Sequence, residues 1–122
     1  MIKNITKKKT LVEKTEMADS MGKKTRGLMF RKNLGPESGF LMVFRYDGRH
    51  SIWMPFMRFG IDIVYIDKEK RIVDIRHSVR PIGKNPMTWR VYKPKEKCRY
   101  VLEVASGLVK KSGTETGDVL EF

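Results

Sequence analysis

Asp62 stands between Ile61 and Ile63 in the apolar run IDIVYI. An ionised carboxylate there needs a cation or backbone donors around it. Arg58 lies four residues earlier across Gly60 and can pair with it; equally, Asp62 can cap the turn, or it can serve a ligand site. Trp53, Phe56, Met57 and Arg58 crowd into the uncharged or nearly uncharged stretch before it. They read either as core and edge packing or as an exposed apolar platform for a partner or small ligand. With Asp62 they form the first candidate binding site.

The second candidate is basic. From Arg76 to Arg99 there are eight Lys/Arg and one acid, Glu96. Arg76, Arg80, Lys84, Arg90 and Lys93 are interleaved with Trp89 and Tyr92. Cations alternating with stacking rings are the usual equipment for RNA or single-stranded DNA. The plainer reading is a solvated basic surface. Lys7–Lys9 would add counterion release without specificity.

Catalytic chemistry has little to work with. His50 and His77 are far apart in sequence, and Cys98 is the only cysteine. A Cys98–His77 dyad is conceivable, but no local pattern supports it. No His, Cys or carboxylate spacing matches a metal site, and no cofactor motif is present. Gly113, Gly117 and Asp118 read as a helix stop and a turn rather than a phosphate loop.

The elements that must position these residues follow from the pattern. Thr10–Met17 reads as a strand. Asp19 or Ser20 caps a helix in which Met21, Thr25, Leu28 and Met29 share a face, ended by Gly35-Pro36. Phe40–Phe44 is a buried strand, Asp47-Gly48 a hairpin turn, and His50–Met54 the next strand, closed by Pro55. Ile61–Ile66 and Arg71–Arg76 flank the turn at 67–70. Residues 40–76 thus read as a meander of two hairpins. Residues 77–97 form a long irregular segment. Tyr100–Val104 is a strand, a short helix spans about 105–111, and Val119–Phe122 is the last strand. The expected fold class is α+β: a small, mainly antiparallel sheet or partly closed barrel with one N-terminal and one short C-terminal helix. Residues 1–9 read as a flexible basic arm and 10–122 as a single globular domain.

Composition bounds the class of function. The chain has 122 residues, 40% of them hydrophobic, enough for a real core. A net charge of +12 favours attraction to anions. The lone cysteine fits a reducing cytoplasm. The N-terminus has lysines but no apolar run after them, so no export signal is expected, and no stretch is long enough for a membrane span. Gln is absent, and Lys, Arg and Glu are abundant, which hints at a thermophile.

Several islands carry a family resemblance: RGLMFRKNL (26–34), GFLMVFRYDG (39–48), IWMPFMRFGIDIVYID (52–67), RIVDI (71–75), YVLEVASG (100–107) and GTETGDVLEF (113–122). In this order they resemble the uncharacterised domain-of-unknown-function family 192, also called UPF-0127. The resemblance covers nearly everything from residue 11 onward. It implies a compact β-rich fold with a helix near the N-terminus, and no established activity or catalytic residues. In the family Trp-Met is usually followed by Lys-Asn-Thr; here Pro55, Phe56 and Met57 follow, so a polar site at those positions does not carry over. Met57-Arg58-Phe59 looks more like an archaeal branch.

The sequence therefore points to a non-enzymatic binding module. Its leading site is a partner or small-ligand surface at 53–62. The alternative is RNA or single-stranded DNA binding through 76–99, and an enzyme of unknown reaction ranks last.

Overall fold

Strand pairing around two fully apolar central strands organises the chain. The computed structural model describes residues 1–19, 34–53, 59–80 and 91–122. Ten strands and one short helix occur among them: β1 (Ile2–Asn4), β2 (Lys9–Val12), β3 (Lys14–Ala18), β4 (Ser38–Gly48), β5 (Ile52–Trp53), β6 (Ile61–Ile66), β7 (Ile72–Val79), β8 (Val91–Tyr92), β9 (Cys98–Ala105), α1 (Leu108–Ser112) and β10 (Leu120–Glu121).

The main sheet has the order β3-β4-β9-β6-β7. Only the β3–β4 pair is parallel; the other pairs are antiparallel. Every residue of β6 is buried. That is what a central strand covered on both faces requires, and it explains the unbroken apolar run. On one face Leu41, Val64, Ile66, Leu102 and Val104 pack against Ile2, Leu11, Val12, Val109 and Leu120. Those partners come from α1 and a smaller sheet of order β10-β1-β2. The opposite face carries Phe40, Met42, Ile61, Ile63, Tyr65 and Val101, with Ile52 against them.

Three expectations change, and a fourth lies outside the described residues. The fold is mostly β with mixed pairing, and among the described residues no sheet closes into a barrel; the two larger sheets meet at an isolated Arg71–Val119 bridge. The helix expected after Asp19 falls on 20–33, outside the described residues. The hairpin expected at Asp47-Gly48 does not form. β4 instead runs through Gly48 and pairs with β9, which inserts between β4 and β6, while two-residue β5 pairs with β8. Tyr100–Val104, apolar on both faces apart from Glu103, competes better for the sheet centre than a short strand followed by Pro55. Finally, residues 1–9, read as a loose arm, contain the middle strand of the small sheet, with Ile2 and Asn4 buried.

The seam between chain ends is polar and closed. Asn4 Nδ2 donates to Thr114 Oγ1 (3.1 Å) and Asp118 Oδ2 (2.9 Å), and Lys7 Nζ pairs with Glu115 (2.8 Å) and Asp118 (3.2 Å). Burial pushes the Asp118 carboxyl up, but hydrogen bonds from Asn4, the Glu115 N–H and Lys7 outweigh it and hold the group below its usual range.

Candidate functional site

Of the first candidate site, Asp62 is the best placed. It is completely buried. Its Oδ1 accepts from the Ser78 N–H (2.8 Å), and its Oδ2 from the N–H groups of Gly107 and Val109 (both 3.1 Å). Gly107 precedes α1 and has no side chain to cap it. A carboxylate from β6 therefore does the capping, and also anchors Ser78, whose φ is 49°. Asp62 thus has backbone donors; its expected pairing with Arg58 falls outside the described residues. The side chain of Trp53, with Phe56, Met57 and Arg58, lies outside the described residues. Their flanks are visible: Ile52 is core, and Phe59 packs partly buried against it.

Of the second candidate, Arg76, Arg80, Tyr92 and Lys93 are described, whereas Lys84, Trp89 and Arg90 fall on 81–90 and are not. Arg76 donates to the Lys93 carbonyl (2.9 Å) and contacts Asp74 at 3.4 Å. Tyr65 donates from its hydroxyl to the Tyr92 carbonyl (2.8 Å), and the Lys95 N–H donates to Asp74 (3.0 Å). Residues 92–95 are thus fastened to β6 and β7, and Arg76 does structural work. Tyr92 is half-buried; Lys93 and Arg80 are exposed.

Nothing in the local sequence joins this segment to the tip of β4, yet the fold brings the two together. Arg49 Nε donates to the Pro94 carbonyl (2.8 Å), Gly48 pairs with Cys98, and Arg99 bridges to Asp47 (2.9 Å). Arg45, Arg49, Lys93, Lys95, Lys97 and Arg99 therefore gather at one end with two acids, Asp47 and Glu96. Tyr46 stands among them, 66% exposed. Its ring centroid lies 4.9 Å from that of His50, which is stacked on Phe44 at 3.8 Å with the planes 10° apart. His50 Nε2 donates to the Tyr46 carbonyl (2.9 Å). The run FRYDGRH held the signal, but its Asp-Gly reads most simply as a hairpin turn.

Glu103 was also missed. Strand alternation puts it with Val101 on the Phe40–Ile63 face, between those two residues in register. It is 6% exposed, and burial pushes its carboxyl up to about 7; among the described residues no group counteracts this. A lone Glu inside YVLEVA is visible in the sequence, although nothing there fixes which face it takes. Burial likewise raises the Tyr65 hydroxyl above its ordinary range.

Cys98 is buried and its thiol is raised by burial; the opposing influence is a hydrogen bond with the His50 backbone. His77 is exposed on β7. Among the described residues no group of three or more His, Cys, Asp or Glu is placed to hold a metal, and no helix is long and apolar enough to cross a membrane. A groove of about 460 Å³ opens on the far side of the sheet, lined by Met17, Leu41, Tyr100 and Phe122 among others.

Comparison with known proteins places the chain. The sequence profile of DUF192, described as Uncharacterized ACR, COG1430, matches residues 2–122. A UPF0127 protein of Thermococcus gammatolerans is 34% identical over 122 residues, covering 100% of this chain and 74% of that protein. The UPF0127 protein PYRAB11210 of Pyrococcus abyssi is 36% identical over 109 residues, covering 89% and 86%. Two solved structures share the fold at TM-score 0.80. One, described as a putative transcription regulator (R01717) from Sinorhizobium meliloti 1021, is 28% identical and covers 88% of this chain and 79% of its own. The other, a protein of unknown function from Novosphingobium aromaticivorans DSM 12444, is 25% identical and covers 88% and 74%.

Proposed function

The chain belongs to the uncharacterised DUF192 (UPF0127) family, and from that premise we propose that it is a small binding module that takes RNA or single-stranded DNA on its basic end. The observation that carries this reading is the gathering of Arg45, Arg49, Lys93, Lys95, Lys97 and Arg99 around the β4 tip. Exposed cations gathered at one end supply the counterion-release affinity that phosphate backbones reward. Arg80, Lys84, Trp89 and Arg90, from the same basic stretch of sequence, are included in this reading. The description of the Sinorhizobium structure as a putative transcription regulator is compatible with nucleic-acid binding.

The test is direct. Nucleic-acid absorbance should accompany the protein through purification at low salt and be lost at high salt. Binding of short oligonucleotides should weaken in Lys93→Ala/Lys95→Ala and in Trp89→Ala/Arg90→Ala. Failure to bind any oligonucleotide at low salt ends the reading.

A second reading keeps a partner or small-ligand surface at Trp53, Phe56, Met57 and Arg58, without Asp62, which is buried and held by backbone donors. Ile52 and Phe59, on either side of it, pack on the face that holds the buried Glu103 carboxyl. Trp53→Ala and Arg58→Ala would each have to weaken a detected interaction without unfolding the protein. Variants that change neither stability nor any interaction remove this reading.

A further inference from the structure

We propose that Tyr46 is the platform on which one unstacked base of a single-stranded nucleic acid rests, with Arg45, Arg49 and Lys95 on the adjoining phosphates. This rests on the nucleic-acid reading and adds to it a residue and a mode of recognition. An exposed tyrosine at a strand tip is unremarkable alone. Tyr46 differs because its ring is braced. His50 stands 4.9 Å away on one side and is itself stacked on Phe44, and its Nε2–H holds the Tyr46 carbonyl. Below, the ring comes close to Gly48; a Cβ added there would lie 3.4 Å from Tyr46 Cε2. The ring is therefore pre-positioned while two-thirds of the residue stays open to solvent.

The surroundings fit a strand with accessible bases better than an acidic protein. Arg49 gives its Nε hydrogen to a carbonyl and not to a carboxylate, so its positive charge is not cancelled by that contact. Asp47 is paired with Arg99. A polyanion is thus attracted to the rim, while the ring offers stacking that is indifferent to base identity. In a duplex the bases already stack on one another and cannot reach a single side chain at a strand tip.

Fluorescence anisotropy of the full chain separates these contributions. The probes are a labelled 12-nucleotide RNA, a matching strand with abasic sites replacing its central bases, and a 12-base-pair duplex. The intact strand should bind about 10-fold more tightly than the abasic strand. Tyr46→Ala should lose that difference and leave the salt dependence unchanged; Tyr46→Phe should keep it. Lys95→Ala/Lys97→Ala should flatten the salt dependence and keep the preference for bases. Tyr46→Ala binding like wild type, or equal binding of intact and abasic strands, overturns the platform. If the lysine variant still weakens binding in that case, the basic-surface reading survives. If none of the probes binds at low salt, both fall.

Discussion

The seam at α1 and the tip of β4 treat polar groups in opposite ways. At the seam, Asp62 and Asp118 are buried, and each accepts hydrogen bonds from several donors. At the tip, most charges face water; Arg49 and Arg76 donate to backbone carbonyls, and Arg99 pairs with Asp47. The difference separates residues that hold the fold from residues left for encounter. Buried polar groups persist where their hydrogen bonds are complete. An exposed cluster of like charge does nothing for stability and costs some through self-repulsion.

The largest effect should come from removing the carboxylate that caps α1. Asp62→Ala leaves the Ser78, Gly107 and Val109 N–H groups without their acceptor and should cost about 3 kcal/mol or more in chemical denaturation. Asp62→Asn should recover part of it. A loss below about 1 kcal/mol would mean that α1 does not depend on this carboxylate.

Glu103 is buried like Asp62, but among the described residues no group offsets its burial. Its folded-state carboxyl lies near 7, raised from 4.5. Between those values the folded chain holds a proton that the unfolded chain releases. Its contribution to stability is therefore full below pH 4.5 and is lost as pH rises through about 7. Glu103→Gln removes this loss, so the variant should gain on wild type across that window, by up to about 3 kcal/mol. Parallel pH–stability curves would place a compensating partner at Glu103.

Asn4→Ala should cost about 2 kcal/mol, since Thr114 and Asp118 lose a buried donor. Urea midpoints check it. Cys98 should react with a thiol reagent only as fast as the protein unfolds, because the thiol is buried and its pKa raised. The smallest effect belongs to the tip: Asp47→Ala breaks a pair open to solvent and should shift stability by less than about 1 kcal/mol.

How much of this the sequence contains depends on range. IDIVYI announces a central strand because burial on both faces requires continuous apolar residues. Gly113 stops the helix as expected, at φ 71°. Pairing partners were not legible. The Asp-Gly signal at 47–48 is local, whereas the competition of β9 for β4 spans more than fifty residues. The same distance hides the site: Tyr46 and Lys95 are ordinary until Arg49 and Pro94 are brought together. Ile2 and Asn4 resembled an arm because two inward residues among lysines form too short a pattern to read. Asp62 stands out in the sequence as a carboxylate needing donors; which donors depends on α1 arriving from forty-five residues away.

Nucleic acid at the basic end is expected to bind through its phosphates. The affinity of a labelled single-stranded RNA at several salt concentrations tests it most directly. With four or five phosphates neutralised, log K should fall linearly with log salt at a slope of about −3, and Lys93→Ala/Lys95→Ala should bring the slope roughly one to two closer to zero. No binding at low salt, or a slope that those variants leave unchanged, would contradict it.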